Sequence, residues 1–405
     1  ESAKWNALSK ENVSLLDEWN SGLIEKQLLS YMFRVNYDYN NKYLLTVSGR
    51  WDGASQLAEG NKWAFFPSAA LGWRLDQEEF LKDVTWLNQL KFRLGVGVTG
   101  NSAIDPYQTK GAIVSLYYPF GATLAPGYAA SEPLIKDGAV AMANKDLSWE
   151  KTTQYNIGLD YSVLNGRISG VLDFYTSRTT DLLMAMTIPS LNGYTNTYAN
   201  VGKTSNIGVD ITLNTVNIKT RDFEWSTSIN AAWQKDKIDE LANGKEDDIN
   251  NNWFIGQALG VIYGYECGGL WKEEDAAEMA KFNAKGHSFQ AGMVRPVDQN
   301  GDYKIDPNDD RVIIGHTRPR WTFGMTNTFT YKNFDLSVMM YGRFDYMVDT
   351  GGEWQGGRYM QRKINYYNEN NKNAEYQKPI YNIGGGDPYY RIVAVSYTHL
   401  RAHET

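Results

Sequence analysis

Apolar and polar side chains alternate with a period of two along most of this chain. Residues 31–52, YMFRVNYDYNNKYLLTVSGRWD, show the pattern most cleanly. The first arm sets Tyr31, Phe33, Val35, Tyr37 and Tyr39 on one face and Met32, Arg34, Asn36, Asp38 and Asn40 on the other. The second sets Tyr43, Leu45, Val47, Gly49 and Trp51 against Leu44, Thr46, Ser48, Arg50 and Asp52. Successive side chains of a strand point to opposite faces, so this spacing predicts two strands joined by a polar turn at Asn40 and Asn41. Each arm is about ten residues long with aromatics at both ends of its apolar stripe, which suits a tilted membrane-spanning strand flanked by interfacial girdles.

The alternation recurs down the chain. A loop over residues 52–63 leads to a strand near residues 67–75, with Ala69, Leu71 and Trp73 on one face. A cleaner strand sets Leu90, Phe92, Leu94, Val96 and Val98 against Lys91, Arg93, Gly95, Gly97 and Thr99. The pattern lapses over residues 100–148, read as one long loop. It resumes at 154–163, turns tightly at 164–166 and returns through 168–175. Ile207, Val209, Ile211 and Leu213 mark the next strand, and Phe223, Trp225, Thr227, Ile229, Ala231 and Trp233 its partner. A second long insertion occupies residues 237–320. The last hairpin carries Trp321, Phe323, Met325, Phe329 and Tyr331 on one arm and Phe334, Leu336, Val338, Met340 and Phe344 on the other.

Tight turns therefore alternate with long loops, as in outer-membrane barrels, whose periplasmic turns are short and whose outer loops are long. The predicted fold is all-β: about ten strands of an antiparallel up-and-down transmembrane β-barrel, a portion of a larger one. Loops as long as these are more often functional than filler.

Composition supports that class and excludes others. Aromatics reach 14% of the chain, including 27 Tyr and 13 Trp, which fits belts of interfacial rings. Mean hydropathy is only -0.49, and no run approaches the ~18 apolar residues of a membrane helix. A barrel crosses by alternation instead, so the low average is compatible with it. The net charge of -7, without clustered Lys and Arg, argues against a nucleic-acid face. The single cysteine, Cys267, cannot form an internal disulfide. The opening residues, ESAKWNALSKEN, have no basic stretch followed by an apolar one, so a signal peptide is not expected there.

A series of stretches carries a family resemblance. In order they are YLLTVSGRWDGASQLAEGNKWAFFPSAALGWRL, LNQLKFRLGVGVTGN, NKDLSWEKTTQYNIGLDY, NGRISGVLDFYTSRTTDLL, NVGKTSNIGVDITLN, GQALGVIYGYECGGLW, DQNGDYKIDPNDDRVIIG and YKNFDLSVMMYGRFD. Over residues 30–392 the chain resembles the SusC/RagA group of TonB-dependent outer-membrane transporters of Bacteroidota. The resemblance implies a barrel of about 22 strands in the Gram-negative outer membrane, filled by an N-terminal plug and capped by a SusD-like surface lipoprotein. It further implies import of oligosaccharides, or of peptides in some members, with energy from the TonB complex. Residues 1–392 are expected to be a portion of that barrel, with the plug absent. Residues 393–405, which include the string VSYTHLRAHET, resemble translated adapter read-through and are expected to be a non-native tail. Other classes stay open on the residues alone: a passive porin-like or adhesin barrel, and a soluble carbohydrate-binding β protein.

Two groups of side chains are candidates for ligand chemistry. Asp298, Asn300, Asp302, Asp306 and Asp309 stand at positions 1, 3, 5, 9 and 12 of a calcium-loop frame, with the Lys304 carbonyl at position 7. Position 6 is Tyr303 rather than Gly, and the final acid is Asp rather than Glu, so a Ca2+ site and a solvated run of Asx turns are both open. No other cofactor is expected. The second group is aromatic: Tyr107, Tyr117, Tyr118, Phe120 and Tyr128 in the first long loop, Tyr194 and Tyr198 in the next, Trp253 and Trp271 in the last. Such rings can stack on the C–H faces of sugars; equally, they can pack loop against loop or against a partner lipoprotein. The charges Arg34, Arg50, Arg74, Lys91, Arg93, Asp160 and Asp210 fall on the polar face and are expected to pair with a plug or with one another. Catalysis finds no support. His287, His316, His399 and His403 lack metal-ligand spacing, and the adjacent carboxylates Glu78 and Glu79, or Glu273 and Glu274, do not make an acid/base pair.

Overall fold

Asn40 and Asn41 both take φ of 54°, the backbone that the two central residues of a type I′ turn require. Asp38 Oδ1 accepts the Asn41 N–H at 2.7 Å and locks the turn. The twist of this turn matches that of paired strands, so the alternating arms on either side close into a hairpin.

The computed structural model describes residues 24–106, 108–109, 114–121, 123–129, 142–189, 191, 196–349, 365–374, 376–378 and 393–395. In chain order the strands are β1 (Leu28–Tyr39), β2 (Tyr43–Ala54), β3 (Trp63–Arg74), β4 (Leu87–Asn101), β5 (Val114–Phe120), β6 (Thr123–Ala129) and β7 (Glu150–Val163). They continue with β8 (Ile168–Thr180), β9 (Leu183–Thr187), β10 (Asn196–Asn200), β11 (Lys203–Lys219), β12 (Phe223–Glu240), β13 (Val261–Tyr265) and β14 (Cys267–Leu270). A helix, α1 (Ala276–Ala284), precedes β15 (Val294–Pro296), β16 (Arg311–His316), β17 (Trp321–Tyr331), β18 (Phe334–Phe344), β19 (Met347–Asp349) and β20 (Val393–Val395).

One ten-stranded sheet dominates, in the order β1-β2-β3-β4-β7-β8-β11-β12-β17-β18. Every neighbouring pair is antiparallel. The strands β1 and β18 are its two outer members, so the sheet is open, as a portion of a larger barrel would be. Among the described residues no helix is long and apolar enough to cross a membrane.

The structure departs from the predicted boundaries in three places. β2 runs on to Ala54 and β3 starts at Trp63, so the first loop is shorter than expected. The segment read as a single loop over 100–148 contains the β5–β6 hairpin. The insertion over 237–320 is folded, with its own helix and the two-stranded antiparallel sheets β13–β16 and β14–β15. Within the expected tail, Val393–Val395 pairs with Met347–Asp349, and the rest of that tail lies outside the described residues.

Register carries the apolar stripe unbroken across the sheet, because residues directly opposite in a ladder share a face. Tyr31 faces Trp51, Trp51 faces Phe65, Leu71 faces Leu94, Leu94 faces Ile157, Ile157 faces Phe174, Phe174 faces Val209, Val209 faces Trp233 and Trp233 faces Trp321. Aromatic rings gather at both ends of the stripe. At the tight-turn end Tyr43 stacks on Trp73 at 6.5 Å. At the loop end Tyr31 stacks on Trp63 at 6.0 Å and Trp233 meets Trp321 at 6.3 Å. Most of these rings and aliphatics are exposed, Trp233 and Val209 being half-buried.

The core lies elsewhere. At the loop end Ala54, Leu57, Phe66, Ile104, Leu147 and Trp149 form one buried cluster, in which loop residues fold onto the polar face. A second cluster inside the last long loop comprises Trp271, Met279, Phe282, Phe289 and Ile305.

Candidate functional site

The polar face carries a charged layer near mid-sheet. Arg93 on β4 reaches across β7 and β8, its Nε donating to Asp160 Oδ1 at 2.8 Å and its Nη2 to Asp173 Oδ2 at 3.1 Å. Asp210 on β11 sits directly opposite Asp173 and has no cation of its own among the described residues. Arg50 pairs with Asp52 at 2.7 Å and Arg74 with Asp76 at 2.8 Å. Of the expected lumen charges, Arg93 and Asp160 therefore pair with one another and Arg50 and Arg74 with neighbouring carboxylates, while Arg34, Lys91 and Asp210 have no ion pair among the described residues.

The acidic loop spends its carboxylates on its own backbone. Asp298 accepts the N–H groups of Gly301 and Tyr303, Asn300 that of Asp302, Asp302 that of Lys304, and Asp306 those of Asn308 and Asp309. Lys304 Nζ bonds Asp306 Oδ2 at 2.9 Å. This bond, with the Asn308 N–H, holds the Asp306 carboxyl below its usual range. Among the described residues no group of three or more Asp, Glu, His or Cys side chains is placed to hold a metal ion. Asp309, the expected last ligand, has its N–H turned to Asp306.

Two residues that the motif frame misses hold this loop in place. Asp310 is fully buried, and its two oxygens accept the N–H groups of Gln299 at 2.9 Å and Asp306 at 2.8 Å. His287 Nε2 accepts the Ile305 N–H at 3.0 Å, while its ring stacks on Phe289 at 5.1 Å. Burial pushes this imidazole below its ordinary value against the opposing field of Asp310, with Lys304 adding to the shift. The sequence signal for Asp310 was one more acid just past the calcium frame and directly before the apolar run of β16.

The described aromatic candidates fall on several elements. Tyr107 and Tyr194 lie outside the described residues. Tyr117, Tyr118, Phe120 and Tyr128 fall on the strands β5 and β6 rather than on an irregular loop. Tyr198 is half-buried on β10 and packs against the cluster that contains Phe66 and Trp149. Trp253 sits at a bridge to Asp248. Trp271 corrects its expectation most plainly. Its side chain is fully buried, edge-on to Phe282 at 5.6 Å with the Arg295 guanidinium 4.7 Å over its ring. A ring with no open face has nothing to offer a ligand; it is the core of the folded loop.

A cavity of about 970 Å³ opens at the loop end of β2 and β3, with Gln27, Ser55, Gln56, Glu59, Lys62 and Lys145 in its wall. Gln56 is 2% exposed, and its Nε2 donates to Ser102 O at 2.8 Å and Ser102 Oγ at 3.1 Å. Its Oε1 is buried without a partner among the described residues. Amide, hydroxyl and charges of both signs line this space, a surface that can exchange hydrogen bonds with a polar solute.

Comparison with known proteins gives this arrangement a context. Residues 9–398 match the family described as TonB dependent receptor-like, beta-barrel. The chain is 34% identical over 357 residues to the TonB-dependent receptor SusC of Bacteroides thetaiotaomicron, covering 83% of this chain and 33% of that protein. It is 33% identical over 346 residues to the TonB-dependent receptor P3 of Formosa agariphila, covering 82% of this chain and 33% of that protein. It thus spans about a third of the length of these curated relatives. Among solved structures, the RagAB peptide importer in its open-open state superposes with a TM-score of 0.71 at 23% identity, over 91% of this chain and 39% of that one.

Proposed function

The chain belongs to the TonB dependent receptor-like β-barrel family, and we propose that it forms part of the wall of a SusC-like importer that takes up oligosaccharides across the outer membrane. One observation carries the reading. Ten antiparallel strands present an exposed apolar face with an aromatic belt at each end, back to back with a charged face, and their folded loops gather at one end. In water such an apolar face would aggregate. Against lipid it is the outer wall of a barrel, and the Arg93 layer then faces the lumen.

In this reading the tight turns are periplasmic and the loops with the Gln56 cavity are external. A SusD-like lipoprotein seats on the loop end, and the TonB complex acts on the whole protein. The cavity's amides and hydroxyls suit the hydroxyl groups of a sugar. Peptide cargo is the second reading, favoured by the fold shared with the RagAB peptide importer. Catalysis has no part in either.

The test is uptake by cells that make the full-length protein, supplied with labelled oligosaccharides and with labelled peptides of matched size, with and without a working TonB complex. The proposal expects oligosaccharide accumulation that is lost with TonB. Peptide accumulation in its place selects the second reading, and accumulation that survives loss of TonB points to a passive barrel and overturns both.

A further inference from the structure

The link between β3 and β4 differs from the other connections at the tight-turn end. Three of the others have polar tips, Asn40 and Asn41, Arg221 and Asp222, Lys332 and Asn333, and the fourth, residues 164–167, carries one exposed aliphatic side chain, Leu164, beside Asn165 and Gly166. The β3–β4 link, residues 75–86, carries two 3₁₀ turns, Leu75–Gln77 and Glu79–Leu81, and two large aromatic side chains. Phe80 is 69% exposed and Trp86 is 57% exposed. Neither belongs to a strand, so the lipid-facing stripe does not account for them.

Glu78 ties this link to the stripe. Its Oε1 accepts Tyr43 Oη at 2.8 Å and Trp73 Nε1 at 3.1 Å, and its Oε2 accepts Lys42 Nζ at 3.2 Å. Tyr43 and Trp73 are the stacked rings of the apolar-face belt at this end. The polar ends of two belt residues therefore converge on one carboxylate of the link, which places the link against the rim of the apolar face. Next to it, the Leu164 N–H donates to Trp86 O at 2.7 Å, and Leu164 is itself exposed.

Charge narrows the choice of partner. The cations of the link and of the strand ends it touches through Glu78 and Asp76 have an acid beside them: Lys42 with Glu78 at 3.2 Å, Arg74 with Asp76 at 2.8 Å, Lys82 with Glu79 at 3.8 Å. Arg167 in the adjoining turn donates to the Val216 and Asn217 carbonyls. Within the link itself, Lys82 is the one cation, and Glu79 stands beside it, so the link is not built to select anionic headgroups. The Trp86 indole N–H has no protein acceptor among the described residues, and an indole with an apolar body and a free donor is suited to the layer of headgroups and ester carbonyls.

We infer that residues 75–86 are an interfacial anchor in the leaflet that meets the tight-turn end, with Phe80 and Trp86 seated among phospholipid headgroups and ester carbonyls and Glu78 fastening them to the Tyr43–Trp73 belt. In an outer-membrane barrel that leaflet is the periplasmic one. The inference rests on the reading that the apolar face meets lipid, and the partner is the phospholipid surface itself.

The test uses the full-length protein with Cys267→Ser, reconstituted in phosphatidylethanolamine–phosphatidylglycerol vesicles. A fluorophore on Phe80→Cys is compared with one on Asn41→Cys, at a polar turn, and one on Val35→Cys, on the apolar face. Quenching by a lipid carrying a shallow nitroxide is expected to be about twofold stronger at 80 than at 41, and quenching by aqueous iodide correspondingly weaker. Adding Glu78→Ala is expected to move the label at 80 toward iodide. If Val35→Cys is quenched from the lipid while the label at 80 stays open to iodide, the anchor is overturned and the lipid-facing wall stands. Protection of position 80 from both quenchers means that protein covers it and also overturns the anchor. Failure of lipid quenching at Val35→Cys removes the lipid-facing wall and the anchor together.

Discussion

His287 Nε2 accepts the backbone N–H of Ile305 at 3.0 Å and so pins the acidic loop to the folded insertion. Only the neutral imidazole can accept. Burial depresses the affinity of this ring for a proton in the folded state, with Asp310 opposing and Lys304 assisting. The unfolded chain therefore binds the proton more readily, and the stability from this contact is complete above the ordinary histidine value of about 6.5 and is lost as pH falls through the lower folded value. Hydrogen exchange of the full-length protein is expected to show the amides of residues 298–310 losing protection on acidification. His287→Gln keeps an acceptor without a titration, and its profile should be flatter once intrinsic exchange rates are divided out.

Asp310 supports a prediction that separates loop architecture from metal binding. Asparagine would keep one acceptor but turn an N–H₂ group toward a second backbone N–H, in a site with no water access. Asp310→Asn is expected to destabilise the folded insertion by about 2 kcal/mol, the cost of an unmade bond to a buried charged group. Limited proteolysis should then cut within residues 298–310 faster than in the parent. Asp309→Asn removes an acid that only the calcium frame singles out, and its cutting rate is expected to stay at the parent value.

On the polar face one guanidinium, that of Arg93, holds two carboxylates, Asp160 and Asp173, and a third, Asp210, stands opposite Asp173. Removing the guanidinium in Arg93→Met leaves Asp160 and Asp173 without their shared cation, with Asp210 opposite Asp173. The side chains are 20 to 29% exposed, so the loss is discounted from that of a fully buried pair to about 1–3 kcal/mol. Asp210→Asn relieves like-charge repulsion across the β8–β11 ladder and is expected to be neutral or stabilising, and to recover part of the loss when combined with Arg93→Met. Urea unfolding of the detergent-refolded full-length protein reads all three variants. A destabilising Asp210→Asn would show that this carboxylate has a cationic partner elsewhere in the protein.

The ten wall strands were legible because alternation over a lipid-facing surface is a local property: each residue's face follows from its neighbour's. Legibility failed where burial came from contacts distant in sequence. Ala54 and Leu57 read as part of a loop, yet they pack in one buried cluster with Ile104, Leu147 and Trp149, and β2 extends past Trp51. Tyr117, Tyr118 and Pro119 show no alternation, so the β5–β6 pairing had no signature. Trp271 read equally as a ligand-stacking ring or a loop-packing one, because nothing beside it announces Phe282 and Phe289, which enclose it. The acidic run was visible, but a calcium frame is a spacing rule. It could not show that Asp298, Asn300 and Asp302 turn inward to their own backbone.

Two glycines in the sheet make the last prediction. Gly170 on β8 lies opposite Tyr161 and Gly208 on β11 lies opposite Tyr175, each covered by the facing ring. Rings laid over glycine shield a backbone that has no side chain of its own. The two sites differ in what a methyl group would strike. At Gly208 it meets only the Tyr175 ring, a side chain that can swing aside. At Gly170 it also meets the carbonyl oxygen of Thr212, part of the β8–β11 ladder backbone. Gly170→Ala is therefore expected to cost about 2–3 kcal/mol, the upper range of overpacking, and Gly208→Ala about 1 kcal/mol. Heat-induced loss of the folded band on unboiled gels, measured on the full-length protein, ranks the two variants. Equal losses would mean that strand spacing, rather than ring freedom, sets the tolerance at both sites.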